Sequence, residues 1–321
     1  MPPVTRDPEL AAFKTDINLT EYAASLGYRI NRPESSRNSV VMQAATGDKI
    51  IVALGEDDHW IYFSIRDLAD NGSIIDFHQR RHGCSLGAVR VALRRWSGGG
   101  RGVLRPSAEA YAPRVERSSR DRQAVMAAYA RMEEVADHPY LAGRGIGPEI
   151  LGDARFAGTV RVDGHGAAVF PHHDAAGLCG YEMKNRGFTG FAQGGEKGLW
   201  TSRVRPDDSR LVIAESAIDA MSRHALKPDA RTRYASAGGG WSPKTREALL
   251  AAAHALPGDE VALAFDHDEA GRGYEAAARE LLAPAGKRLV ADFPPTPGRD
   301  WNDELRGVES KGRQWSGRAF A

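Results

Sequence analysis

From Arg210 onward the sequence alternates strand-like and helix-like patterns without a break. Strands are expected at Leu211–Glu215, Arg233–Ser236, Glu260–Asp266 and Lys287–Asp292. Helices are expected between them at Ala217–Leu226, Pro243–Leu256 and Ala270–Leu282. The first and third strands, LVIAE and VALAFD, are nearly unbroken apolar runs, the pattern of strands covered on both faces. A β-α-β-α-β-α-β succession has few solutions. It predicts a small parallel sheet with right-handed crossovers and helices on its faces.

Open parallel sheets bind ligands outside the carboxyl ends of their strands. Here those ends are acidic. Strand one ends in Glu215, with Asp219 on the first turn of the following helix. Strand three ends in Asp266, followed by His267 and Asp268, and Asp300 and Asp303 follow the last strand. Carboxylates two apart across a turn can share one hard cation, and Mg2+ needs only a few because it keeps several waters. Crowded acids repel one another, and a divalent cation relieves that repulsion. Glu215 could be a ligand or a proton donor and acceptor. An aspartate after a strand is also a common helix cap, and that reading competes for Asp219, Asp266 and Asp268. Two acid-ended strands with a trailing acid pair favour the cation.

The 321 residues are 42% hydrophobic and 26% charged, a globular composition. Lys+Arg 43 against Asp+Glu 42 gives a net charge of +1, so nucleic-acid binding cannot be read from net charge. The basic residues nevertheless cluster from Arg80 to Arg122, including Arg90, Arg94, Arg95 and Arg101. Guanidinium forks fit phosphate oxygens, and the competing reading is a solvated helix face followed by a tether. Inside the cluster SGGGRG and a polar run to about Ser119 read as a linker. No run of roughly 18 apolar residues occurs, so no membrane span is expected. The start lacks the apolar stretch of a secretory leader. Cys84 and Cys179 are too few for a disulfide framework or a four-cysteine zinc site. A soluble cytoplasmic protein is expected.

The N-terminal part reads as a small α+β unit. A helix runs from Asn18 through Ala24, and strands follow at Ser39–Ala44, Lys49–Leu54 and Trp60–Ile65. Helices Ser73–Arg81 and Ser85–Trp96 each begin on a serine cap. Ile50, Val52, Trp60, Tyr62, Ile74, Ile75, Phe77 and Leu93 form the expected core. A helix at Gln123–Met132 follows the linker, and Ala167–Pro171 with Leu178–Met183 reads as a hairpin.

LVIAESAIDAMS, LAFDHDEAGRG and GRDWNDEL resemble the three acidic motifs of the toprim domain of bacterial primases, type IA and II topoisomerases and some nucleases. Glu215, Asp266, Asp268, Ala270 and Gly271 match that motif. Asp219 matches the acid that bacterial primases carry four residues past the glutamate. Asp300 matches their GKDP-like segment with Arg299 for lysine, and Asp303 is a looser match. The glycine that usually follows the glutamate is Ser216.

Upstream, DNGSIIDFHQRRHGCSLGAVRVALRRW resembles the end of the primase zinc-binding domain. The strands SVVMQAAT and WIYFSIRDL carry no cysteine or histidine where that family binds zinc. His78, His82 and Cys84 stand at helical spacing but are fewer than a closed zinc site needs. A metal-free version is the expectation. The stretch from YLAGRGI to KGLW resembles the region ahead of toprim in plasmid- and phage-borne primase-like proteins.

The resemblance implies an α/β chain. Residues 1–97 would be a degenerate zinc-finger-like nucleic-acid-binding domain, 98–122 a basic linker and 123–208 a mixed α+β subdomain. Residues 209–305 would be the toprim catalytic domain, a small Rossmann-like parallel sheet flanked by helices, and 306–321 a tail. It implies Glu215, Asp266 and Asp268 as catalytic residues, and Glu215, Asp219, Asp266, Asp268, Asp300 and Asp303 as ligands of Mg2+ or Mn2+, with no zinc. Lys184, Arg186, Lys197, Arg90, Arg94, Arg95 and Arg101 would bind nucleotide or nucleic acid. The implied activity is primer synthesis on single-stranded DNA from nucleoside triphosphates, in a mobile element. A replicative helicase or plasmid replication proteins would be partners. The alternatives are a toprim nuclease and a nucleic-acid-binding accessory protein with a vestigial site. No GxxxxGK[ST] P-loop occurs, so no fused helicase is expected.

Overall fold

The computed structural model describes residues 7–36, 38–55, 58–64, 67, 70–97 and 120–307. Most of the expected linker, Arg101 and the end of the expected tail lie outside the described residues. The chain divides into two units, residues 1–119 and 120–321.

The first unit is an antiparallel sheet packed on helices. Its strands β1 (Arg29–Ile30), β2 (Ser39–Gln43), β3 (Lys49–Leu54), β4 (Trp60–Ser64) and β5 (Asn71–Ser73) pair in chain order. Alternation turns Val40, Met42, Ile50, Val52 and Tyr62 to one side, where α1 (Pro8–Asp16), α2 (Leu19–Ser25), α3 (Ile74–His82) and α4 (Leu86–Ser97) supply Phe13, Tyr22, Phe77 and Leu93. The expected core is buried except Trp60, which is partly buried. Ser73 opens α3 through a reciprocal capping box with Asp76, and Ser85 Oγ accepts from the Ala88 amide at 3.4 Å.

One arginine ties the turns of this sheet together. Arg81 of α3 meets Asp48 at 2.9 Å and Asp70 at 2.7 Å, and its Nε donates to the Tyr28 hydroxyl at 2.7 Å. Tyr28 and Tyr62 donate in turn to Asp48 and Asp70. The guanidinium lies 4.7 Å from the Phe77 ring centre. His78, by contrast, is engaged through Nδ1 with the Tyr22 hydroxyl, and its ring stands 4.3 Å from that of His82.

The second unit holds two sheets. In the first, β6 (Glu133–Glu134), β7 (Arg161–Val162), β8 (Ala168–Asp174), β9 (Gly177–Asn185) and β10 (Phe188–Phe191) pair antiparallel in chain order. The expected hairpin is therefore longer than its apolar runs and gains β10 on one side and β7 and β6 on the other. Helix α5 (Arg122–Ala130) packs Val125 against Val169 and Tyr181. Two single-turn helices, α6 (Pro139–Ala142) and α7 (Pro148–Leu151), lie between β6 and β7.

The second sheet has the order β11-β13-β12-β14-β15. β12 (Arg210–Ala214), β13 (Thr232–Ser236), β14 (Glu260–Ala264) and β15 (Arg288–Ala291) are parallel, as expected. An edge strand β11 (Trp200–Thr201) pairs antiparallel with β13, which the strand–helix alternation does not announce. Helices α8 (Ala217–Leu226), α9 (Pro243–His254) and α10 (Glu269–Leu282) make the crossovers, and α11 (Trp301–Arg306) follows β15. Two apolar clusters result. Val212, Ala214, Met221, Ala262 and Trp301 lie in one, and Leu211, Ile213, Leu249, Leu263 and Leu282 in the other. Alternate residues of β12 thus serve opposite faces, which accounts for its unbroken apolar run.

Candidate active site

Strands β12 and β14 run side by side with Ala214 opposite Ala264, so the chain leaves both at the same edge. Glu215 is the first residue beyond β12 and Asp266 the second beyond β14. Ser216 opens α8 in extended backbone, φ −130° and ψ 163°, a conformation that does not require glycine. Its hydroxyl accepts from the Asp219 amide at 3.2 Å and donates to Asp219 Oδ2 at 2.6 Å. The serine therefore caps the helix and fixes the acid one turn in, which is buried.

The other acids are set by comparable local devices. Asp268 caps α10 through Oδ1 and the Gly271 amide at 2.8 Å. A Cβ at Gly271 would fall 1.9 Å from the Asp266 carbonyl oxygen, so the helix lies directly on the backbone that carries Asp266. Asp300 caps α11 through the Asp303 amide at 2.6 Å. The Gly298 amide donates to the His267 carbonyl at 2.7 Å, and the His267 amide to the Arg299 carbonyl at 2.9 Å. Asn302 completes the junction. Its amide reaches Asp219 Oδ1 at 3.3 Å, and its side chain donates to the Arg144 carbonyl at 2.6 Å and to Ser222 Oγ at 2.9 Å.

The three acidic segments thus converge. Burial, followed by the charges of Glu215, Asp219, Asp300 and Asp268, pushes the Asp266 carboxyl up to about 9. Burial and Asp300 push Asp219 up to about 6, against the Ser216 hydroxyl and Lys184. The phenol of Tyr274, on α10 behind the acids, is pushed up to about 12 by burial and by Glu215 and Asp266. The buried Oδ1 of Asp266 accepts no hydrogen bond among the described residues. An all-oxygen, multiply negative set with such an oxygen suits a hard divalent cation. Among the described residues no three His, Cys, Asp or Glu side chains already form a metal cage. Mg2+ asks for less, since one or two carboxylates and its own waters usually hold it.

Residues 212–305 match the family described as Toprim-like, and residues 139–208 match a family of proteins of unknown function, DUF3991. The C-terminal sheet is a toprim domain. Solved structures similar to the chain include the primase fragment of the Bacteriophage T7 primase-helicase protein, at 19% identity and TM-score 0.39 over 56% of this chain and 72% of that one. The Aquifex aeolicus primase, with its zinc-binding and RNA polymerase domains, aligns at 13% identity and TM-score 0.33 over 94% of this chain and 82% of that one. The RNA polymerase domain of the Mycobacterium tuberculosis primase aligns at 19% identity and TM-score 0.30 over 48% and 57%. No curated protein matches the chain.

Of the expected basic residues, Lys184 reaches a toprim acid from the preceding sheet, and Lys197, in the segment that leads out of that sheet, reaches the loop after β13. Lys184, on β9, stands 3.4 Å from Glu182 and lies close enough to Asp219 to hold that acid's pKa down. Lys197 donates to the Gly238 carbonyl at 2.8 Å, in the loop after β13. The same loop is tied to the toprim strand end, since Ser236 Oγ donates to the Glu215 carbonyl at 2.9 Å. Arg186 lies exposed in the turn beyond β9. In the first unit Arg90 pairs with Asp7 and Glu9, Arg94 pairs with Glu9, and Arg95 is exposed. The basic face of α4 therefore carries internal partners from α1 that spacing along one helix does not reveal. Asn302, Glu182 and Tyr274 were not singled out by sequence. Asn302 lies inside GRDWNDEL and Glu182 alternates with Lys184, but only the folded chain shows what they touch.

Proposed function

We propose that the chain is a primase-like nucleotidyltransferase of a mobile element, joining ribonucleotides on a single-stranded DNA template with Mg2+ or Mn2+. The observation that carries this reading is the convergence of Glu215, Asp219, Asp266, Asp268 and Asp300, where burial and then the neighbouring charges raise the Asp266 pKa, with Lys184 facing Asp219. Residues 1–97 would bind template, 98–122 link, 123–208 supply the basic side and 209–305 the chemistry, with 306–321 a tail.

The terminal hydroxyl of the growing strand attacks the α-phosphorus of the incoming triphosphate. A phosphodiester bond forms and pyrophosphate leaves. Glu215 in its carboxylate form accepts the hydroxyl proton. Glu215, Asp219, Asp266, Asp268, Asp300 and Asp303 would hold the divalent cation, which when bound neutralises charge building on the phosphoryl group. Lys184 and Lys197 meet phosphate oxygens, while Arg186, Arg90, Arg94, Arg95 and Arg101 engage the nucleic acid backbone. A replicative helicase or plasmid replication protein in the cytoplasm fits such an enzyme.

The test is primer synthesis from labelled ribonucleotides on single-stranded DNA, run beside strand cleavage in the same buffer. Labelled oligoribonucleotides that need Mg2+ or Mn2+ are the expected product. Cleavage without synthesis makes the same acids those of a toprim nuclease. Neither reaction, with DNA binding intact, makes the site vestigial.

A further inference from the structure

Glu182 has no part in the chemistry proposed above, and a buried negative charge on the side of the cleft that is to meet phosphate calls for a reason. Strand alternation places Gly180, Glu182 and Lys184 on one face of β9, with His172 paired opposite Gly180. At Gly180 a Cβ would fall 2.4 Å from the Glu196 carbonyl oxygen. The missing side chain lets the 195–198 segment cross this face and bring Lys197 over it. The Gly238 loop closes the other side, where a Cβ would stand 3.3 Å from Glu182 Oε2 and 3.2 Å from His172 Cε1. Glu182 is 7% exposed.

We propose that Glu182 is a positioning residue that holds Lys184 and Lys197 as a pair of charged ammonium groups beside the acidic cleft, ready for a phosphate-bearing substrate. This rests on reading the cleft as a phosphoryl-transfer site. Lys184 lies 3.4 Å from the carboxylate. Lys197 is anchored on the Gly238 carbonyl, which carries no formal charge to balance it. Burial, with a smaller contribution from Lys184, pulls Lys197 below the usual ammonium range, and Glu182 opposes that pull. The other groups around Lys197 do not take over this task. His172 gives Nδ1 to the Gly198 carbonyl at 2.9 Å, and burial pulls it down to about 4, so it is neutral at neutral pH. Glu196 pairs with Arg120 and Lys244.

The test reads lysine protonation directly. Trace acetic anhydride labels unprotonated amines, and mass spectrometry follows each lysine in the full-length protein from neutral to alkaline pH. In Glu182→Gln the labelling midpoint of Lys197 should fall by about one pH unit or more, as expected when a close opposite charge is lost. Lys14, in the other unit, should not move. In primer synthesis the high-pH limb of the variant should shift the same way, with KM for the triphosphate rising more than kcat falls. Glu182→Asp should restore most of the Lys197 midpoint. Should Glu182→Gln not fold, Glu182→Asp alone must still show a smaller fall in the same direction. An unmoved Lys197 midpoint in a folded variant overturns the proposal, whether or not primers are made. A shifted midpoint in a protein that makes no primers supports the role of Glu182 and overturns the transferase reading instead.

Discussion

At the residue scale the acids work against the fold that assembles them. Asp266 keeps a proton in the folded protein up to about pH 9, while the unfolded chain releases it near the ordinary 3.8. The folded state therefore binds more protons across that window, and stability falls as pH rises through it. Asp266→Asn removes the penalty. In the metal-free protein it should raise Tm at pH near 8 by at least about 3 °C and leave Tm near pH 4 unchanged. Mg2+ should raise the wild-type Tm and have little effect on the variant, which should make no primers. Thermal melts with and without EDTA check both points, and an Asn variant that keeps full activity would remove Asp266 from the site. Glu215→Gln keeps shape but loses proton exchange, and a loss of roughly 10²-fold or more in turnover is expected. A loss below about threefold would assign Glu215 a structural role.

At the scale of elements, two junctions carry more than their sequence length suggests. The first turn of α10 fits only because residue 271 has no side chain. Gly271→Ala places a Cβ against backbone and should cost about 3 kcal/mol or more, with loss of the Mg2+ response. Urea unfolding measures the first effect and thermal shift the second. In the first unit, Arg81 cross-links the segments carrying Tyr28, Asp48 and Asp70. Arg81→Met leaves the buried Asp70 and the partly buried Asp48 without their shared cation, and about 2–3 kcal/mol of stability should be lost. Metal analysis of purified protein should find no stoichiometric zinc. Zinc that leaves only on unfolding would overturn this account.

At the scale of the whole molecule the question is what the arginines of α4 are for. If they track a phosphate backbone, affinity for single-stranded DNA falls steeply with salt. Roughly four phosphates give a slope of log K against log salt near −3, at about −0.7 for each. Asp7 and Glu9 compete for Arg90 and Arg94, so Asp7→Asn with Glu9→Gln should tighten DNA binding for every sequence alike. A pure clamp between α1 and α4 predicts unchanged affinity and a lower Tm. Fluorescence anisotropy of a labelled oligonucleotide, beside a melt, separates the two.

Local pattern was enough for the four parallel strands of the toprim sheet. The buried runs LVIAE and VALAFD, spaced by helical segments, dictate parallel strands with acids at their carboxyl ends, because each crossover must return the chain to the same edge. Those acids were legible for the same reason, each standing within a few residues of a strand end. Strand β11 was not, since two residues carry no period. Nor was the role of Ser216, whose extended backbone and cap replace an expected glycine. Partners that define Arg81, Arg90 and Asn302 lie tens of residues away, and the Gly238 loop that closes over Glu182 comes from beyond the next strands. Sequence thus determined the elements and the acidic edge, because periodicity and capping act over a few residues. Which charges are balanced, and which are left to a ligand, was decided only when distant segments packed and excluded water.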